Sequence, residues 1–173
     1  LDVSDWARSR DGSTWLLRTA ETGWWTLGDG ADAGLRQIGG TRANDLTQPA
    51  LSPKGDRVAY TLDRDLWVED LATGRVIQVT RAGSPTVVNA STQGVYTGMS
   101  RGGFQWSPDG RFIAFLQFDV SGVPEFRIIN YTDSLYPTVR SFSHVKPGDT
   151  LPAVRLGVVP VEEDGTVTWI DLP

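Results

Sequence analysis

Ser52-Pro53-Lys54-Gly55-Asp56-Arg57-Val58-Ala59-Tyr60 and Ser107-Pro108-Asp109-Gly110-Arg111-Phe112-Ile113-Ala114-Phe115 are two copies of one pattern. A degenerate third copy precedes them, Ser9-Arg10-Asp11-Gly12 followed by Trp15-Leu16-Leu17. The starting serines lie 43 and 55 residues apart. Ser, Pro and Gly occupy the first, second and fourth positions that a type I turn favours, with φ already set at Pro. The apolar triplet that follows puts side chains on both faces of a strand, as a strand sandwiched between two sheets requires. Ala59 and Ala114 at the triplet centres are expected to be buried on thin faces where a neighbouring sheet packs closely.

A second apolar run follows in each unit: Trp24-Trp25-Thr26-Leu27, Leu66-Trp67-Val68 and Phe126-Arg127-Ile128-Ile129. In the middle unit Ala72-Thr73-Gly74 turns the chain into Val76-Ile77-Gln78-Val79. Turn, strand, loop, strand, turn, strand at this spacing is how a propeller blade reads. The fold class is therefore all-β, part of a β-propeller with about three four-stranded antiparallel blades plus part of another. The blades are placed at roughly 1–45, 46–82 and 104–145, with the start of a further blade at 152–173 and an inserted loop at 81–103. Propellers close with about four to eight blades, so three and a fragment predict an open arc. The sequence starts at Leu1 and stops at Pro173 directly after an apolar segment, the pattern of a section of a longer chain. Uncovered end blades would then favour self-association.

Composition agrees and narrows the partners. Nineteen glycines, ten prolines and seven tryptophans suit turns and half-buried strands better than helices. The net charge is −5, with no run of Lys or Arg, which argues against nucleic acid and anionic membrane surfaces as partners. No apolar stretch approaches the length of a membrane span. With no cysteine there is neither a disulfide nor a thiolate metal site, and the compartment stays open.

The stretch from Phe104-Gln105-Trp106-Ser107-Pro108-Asp109-Gly110 to Leu116-Gln117-Phe118-Asp119 resembles the propeller of dipeptidyl peptidase IV-like serine peptidases. The likeness continues through Val123-Pro124, Tyr136-Pro137-Thr138-Val139-Arg140, Lys146-Pro147-Gly148 and Pro152-Ala153-Val154-Arg155 to Val158-Val159. The resemblance implies an eight-bladed propeller that admits small peptides to a C-terminal α/β-hydrolase domain carrying a Ser-Asp-His triad. It favours a periplasmic or secreted location and leaves a cytoplasmic one open. This chain would be an inner section of that propeller, gating substrate and not catalytic by itself. No Gly-x-Ser-x-Gly nucleophile elbow is read in it, and it has one His. The family's acidic motif, which binds the substrate's amino terminus, follows a Val-Tyr pair. Here Val95-Tyr96 is followed by Thr97-Gly98-Met99-Ser100-Arg101-Gly102-Gly103-Phe104, with no acid before Asp109. A buried ammonium without carboxylates is costly, so the amine anchor carries over to no position. The alternative function is a TolB-like or WD-repeat-like binding propeller with no peptidase attached.

The candidate substrate contacts are Tyr96 and Arg101, in the inserted loop. No catalytic residue, metal ligand or cofactor is expected. His144 lacks partners for a site. Glu162-Glu163-Asp164-Gly165 reads as a hairpin turn carrying solvated charge, Gly28 to Gly34 as a loop, and the tryptophans as packing between blades. Asn89-Ala90-Ser91 and Asn130-Tyr131-Thr132 match the N-glycosylation pattern, which recurs by chance.

Overall fold

A computed structural model describes residues 2–29, 34–92, 102–132 and 135–171. Strands β1 (Val3–Arg8), β2 (Thr14–Thr19), β3 (Gly23–Gly28) and β4 (Leu35–Gln37) form one antiparallel meander. Strands β5 (Thr47–Leu51), β6 (Arg57–Leu62), β7 (Asp65–Asp70) and β8 (Val76–Gln78) form a second. The remainder is β9 (Val87–Asn89), β10 (Phe104–Trp106), β11 (Phe112–Asp119), β12 (Glu125–Asn130), β13 (Thr138–Ser143), β14 (Ala153–Pro160) and β15 (Thr168–Ile170). These are four-stranded blades of a partial β-propeller.

The repeated turn is the same object three times. The Gly12, Gly55 and Gly110 amides donate to the carbonyls of Ser9, Ser52 and Ser107 at 3.0 Å each. All three glycines have left-handed φ, between 68° and 79°. A type I turn closed by a left-handed residue is a hairpin connection that suits glycine there. Each Ser hydroxyl donates to a nearby carboxylate: Ser9 to Asp11 (2.7 Å), Ser52 to Asp56 (2.6 Å) and Ser107 to Asp109 (2.6 Å). Bonds from Ser107, then from the Arg111 backbone and side chain, hold the Asp109 carboxyl well below the usual carboxylate range.

The triplets then pack on both sides. Val58 and Tyr60 join Leu16, Ile38 and Leu46 between the first two blades. Ala59, between them in sequence, joins Leu66, Val68, Val79, Ile113, Phe115 and Val159 between the second and third. Four of the seven tryptophans follow the same plan, Trp24 and Trp67 on the first of these clusters, Trp106 and Trp169 on the second, while Trp15 packs against Trp6 and Trp25 donates to Thr22. Trp6 is the most exposed of the three outside the clusters, at 64%.

The third blade departs from the expected boundaries in three ways. First, residues 152–173 do not open a further blade. β14 pairs with β11 along its whole length, from Phe112↔Pro160 to Asp119↔Ala153, and β15 adds outside it. Second, the run at 126–129 does not supply the third strand of the blade. β12 and β13 pair only with each other, a hairpin inserted between β11 and β14. Its aliphatic residues Ile128, Ile129 and Val139 stay exposed, Ile128 at 48% and Val139 at 61%, so the strand pattern there does not signal a core position. Third, the segment 81–103 is not all loop, because Val87–Asn89 is a strand on β11.

Ala59 is fully buried as expected. Ala114 is only half-buried, because its face of the third blade points away from the second. Ala59→Leu is therefore expected to cost about 1–3 kcal/mol by overpacking, and Ala114→Leu distinctly less, measured by denaturant unfolding. Burial, with a smaller contribution from the Glu69 carboxylate, pushes the Tyr60 phenol up to about 12 from 10.0. The neutral form is the one the fold favours, so this stability is complete below pH 10 and lost as pH rises through 12. Tyr60→Phe should gain on the wild type over that window when unfolding midpoints are followed against pH.

Candidate functional site

The first strands of the three blades converge. β1, β5 and β10 line one cavity of about 730 Å³ that includes Arg8, Pro49, Ala50, Phe104 and Trp106. The Trp106 indole N–H donates to the Ala50 carbonyl across it, at 3.1 Å.

The innermost strand of the third blade is broken. One edge of β11 carries β14; the other carries β10 at Ile113–Phe115 and β9 at Gln117–Asp119. β9 and β10 are thus two halves of one strand, and residues 90–103 leave it at the gap opposite Leu116. The Leu116 carbonyl accepts from the Ala90 amide and its own amide donates to the Gly103 carbonyl, both at 2.8 Å. The two stems touch: a Cβ on Gly103 would lie 2.6 Å from the Ala90 carbonyl carbon, so only glycine fits. Ala90, fully buried, has a left-handed φ of 58°, a strained conformation of the kind that clusters at binding sites.

A buried polar joint holds the first stem. Asp65, 6% exposed, accepts from the Thr80 hydroxyl (2.7 Å), the Asn89 amide (2.9 Å), the Gly83 backbone (3.1 Å) and the Gln78 amide (3.2 Å). Asn89, fully buried, passes the chain on by accepting from the Gln117 amide at 2.8 Å. Its burial rules out Asn89 as a glycan acceptor in this fold. In Asn130-Tyr131-Thr132 the Thr132 hydroxyl and amide both donate to the Asn130 side-chain oxygen.

Above this joint lies a rim cleft of about 340 Å³, bounded by Asp45, Thr61 and Asp63, by Ser91 of the first stem, and by Ser141 and Ser143 of β13. Arg42 neutralises its acidic side, donating to Asp45 at 3.1 Å and to Asp63 through both terminal nitrogens. The Arg42 hydrogen bond holds the Asp63 carboxyl below its usual range.

Of the candidates read from sequence, Tyr96 and Arg101 lie outside the described residues; of their flanks, Ser91 lines this cleft, and Gly102 and Gly103 line a separate one with Leu116 and Leu156. His144 packs with the rings of Phe126 and Phe142, and its amide donates to the Pro124 carbonyl. The turn at Glu162–Gly165 does more than carry solvated charge: Glu163 pairs with Arg75 and Asp164 with Arg81, from the second blade. Among the described residues no group of three His, Cys, Asp or Glu side chains could hold a metal ion. One sequence pattern went unread. Gly98-Met99-Ser100-Arg101-Gly102 has the letters of a Gly-x-Ser-x-Gly elbow. An elbow leads from a strand into a helix, whereas β10 begins two residues after Gly102.

A β-propeller section whose third blade carries an insertion between β9 and β10, on one edge of β11, is the class this fold defines. Residues 5–173 match the family described as the dipeptidyl peptidase IV (DPP IV) N-terminal region, and the chain belongs to that family. A probable dipeptidyl-aminopeptidase B of Talaromyces stipitatus is 30% identical over 174 aligned residues, covering 92% of this chain and 18% of the relative. The protein of the same description from Sordaria macrospora is 31% identical over 70% of this chain and 14% of its own. The crystal structure of Porphyromonas gingivalis dipeptidyl peptidase 4 superposes with a TM-score of 0.76 and 25% identity, over 99% of this chain and 26% of that one. The chain thus spans a quarter or less of the length of the relatives in two cases and 26% in the third.

Asn89→Ala removes a donor to Asp65 and a partner of Gln117 inside the seam between blades. The expected cost is about 1–3 kcal/mol for the polar groups left unpaired, read as a lower unfolding midpoint. An unchanged midpoint would show that the joint carries no load.

Proposed function

We propose that this chain is a peptide-contacting, substrate-gating section of the propeller of a serine-type, dipeptidyl peptidase IV-like peptidase, acting with a C-terminal α/β-hydrolase domain and inert by itself. The observation that carries the reading is the insertion at residues 90–103, between β9 and β10 on one edge of β11, with Phe104 directly after it lining the cavity shared by β1, β5 and β10. Loops held on a rigid scaffold are where binding residues concentrate. Family membership supports the link to a peptidase. Tyr96 supplies a phenol and an aromatic face for a peptide, and Arg101 a guanidinium for its carbonyl oxygens or carboxylate. No acid stands between Val95 and Asp109, so the loop itself offers no carboxylate to a peptide's free amine, and preference for that amine is expected to be weak.

Two measurements test this. The chain alone should show no turnover of Xaa-Pro or Xaa-Ala amide reporters above background. Turnover blocked by a serine-directed phosphonate and lost in Ser100→Ala would overturn it. In the full-length protein, Tyr96→Ala and Arg101→Ala should each raise the peptide KM about tenfold with kcat little changed.

A further inference from the structure

Gln48 sits where a strand residue is least comfortable. Its φ is 53°, in the left-handed region, at the point where the register of β5 on β6 slips by one residue between Thr47 and Ala50. Such a bulge re-aims a side chain. Pro49 follows and has no N–H to lose from the ladder. Glycine or asparagine would fill a left-handed site at less strain. A glutamine there needs a reason in its side chain.

The side chain supplies one. Its Nε2 donates to the Thr92 hydroxyl at 3.0 Å, and its Oε1 accepts from the Gly103 amide at 3.4 Å. Thr92 lies in the first stem of the insertion and Gly103 in the second, 44 and 55 residues away in sequence. One amide from the second blade therefore bridges both ends of a loop that belongs to the third. Leu116 also joins the stems, but through backbone groups that any residue offers, and only at Ala90 and Gly103. Among the described residues, only Gln48 is hydrogen-bonded to Thr92, beyond the last backbone bond to β11.

We infer that Gln48 is a positioning residue: its amide sets the span between Thr92 and Gly103, the two stems of the insertion. Its consequence for peptides rests on the proposed function. The bulge and the left-handed backbone aim the amide, and the amide couples the loop to the second blade.

The test separates the amide from the backbone. Gln48→Gly suits the left-handed conformation, so its unfolding midpoint should hold or rise. Its Gly103 amide, followed by NMR hydrogen exchange in the whole chain, should nevertheless exchange about tenfold faster than in the wild type. Gln48→Glu keeps an acceptor for Gly103, and the Thr92 hydroxyl can turn to donate. Its Gly103 exchange should stay within about threefold of the wild type. Wild-type exchange in Gln48→Gly, or exchange in Gln48→Glu as fast as in Gln48→Gly, overturns the inference. In the full-length protein Gln48→Gly should raise the peptide KM with kcat held. Faster Gly103 exchange beside an unchanged KM upholds the positioning role and overturns the peptide role of the loop.

Discussion

Everything specific to this chain hangs on the eight residues of β11. One edge carries β14 from end to end, and the other is shared between β9 and β10. One face puts Ile113 and Phe115 against the second blade, where the ring of Trp169 meets Phe115 edge-on at 5.8 Å. Gly157, opposite Phe115 in β14, leaves the space this ring needs, since a Cβ there would come within 2.9 Å of it. The pairing with β14 holds the β12–β13 hairpin outside the blade. The split pairing on the other edge creates the gap from which the insertion leaves. A single strand thus orders the blade and sets the point from which the insertion leaves.

Between blades, apolar contact and a buried carboxylate work together. Hydrophobic faces press sheets together without choosing an orientation. Glu69, 4% exposed, accepts from Arg36 and from the Gly39 backbone at 3.0 Å each, fixing the first blade on the second. Asp65 does the same for the second and third with neutral donors. Removing a donor leaves a buried charge short of a partner, so these joints penalise misalignment more than they add stability. The exposed pairs Arg75–Glu163 and Arg81–Asp164 contribute little by comparison.

The turn-and-triplet repeat made the architecture legible because it encodes two physical needs at once, a left-handed glycine and a strand apolar on both faces. The ends of the third blade were not legible. Phe126 to Ile129 has the composition of a blade strand, and nothing in the residues themselves says that β14, thirty-four residues after the end of β11, takes the place beside it. The inserted loop could be seen as a lengthened repeat. Its anchors could not, because Gln48, Asp65 and Asn89 come together only when two blades stack. Asn89 even resembled a surface sequon while being fully buried. The exclusion of an elbow by letters alone was also unsafe, since Gly98 to Gly102 carries them; the strand that follows is the better argument.

Under the proposed function the second blade belongs to the site: it supplies Gln48 to Thr92 and Gly103 in the stems of the insertion, and Asp65 to Asn89 of β9. That dependence begins with β11 pairing with β14. The most direct check is to end the chain at residue 149, before β14, and follow thermal unfolding with a dye that binds exposed apolar surface. The account predicts a clearly lowered midpoint and strong dye binding, because Ile113 and Phe115 lose Val159 and Trp169. A shortened chain that melts like the whole one, with no added dye binding, would mean that residues 153–170 lie outside the third blade and would contradict the account.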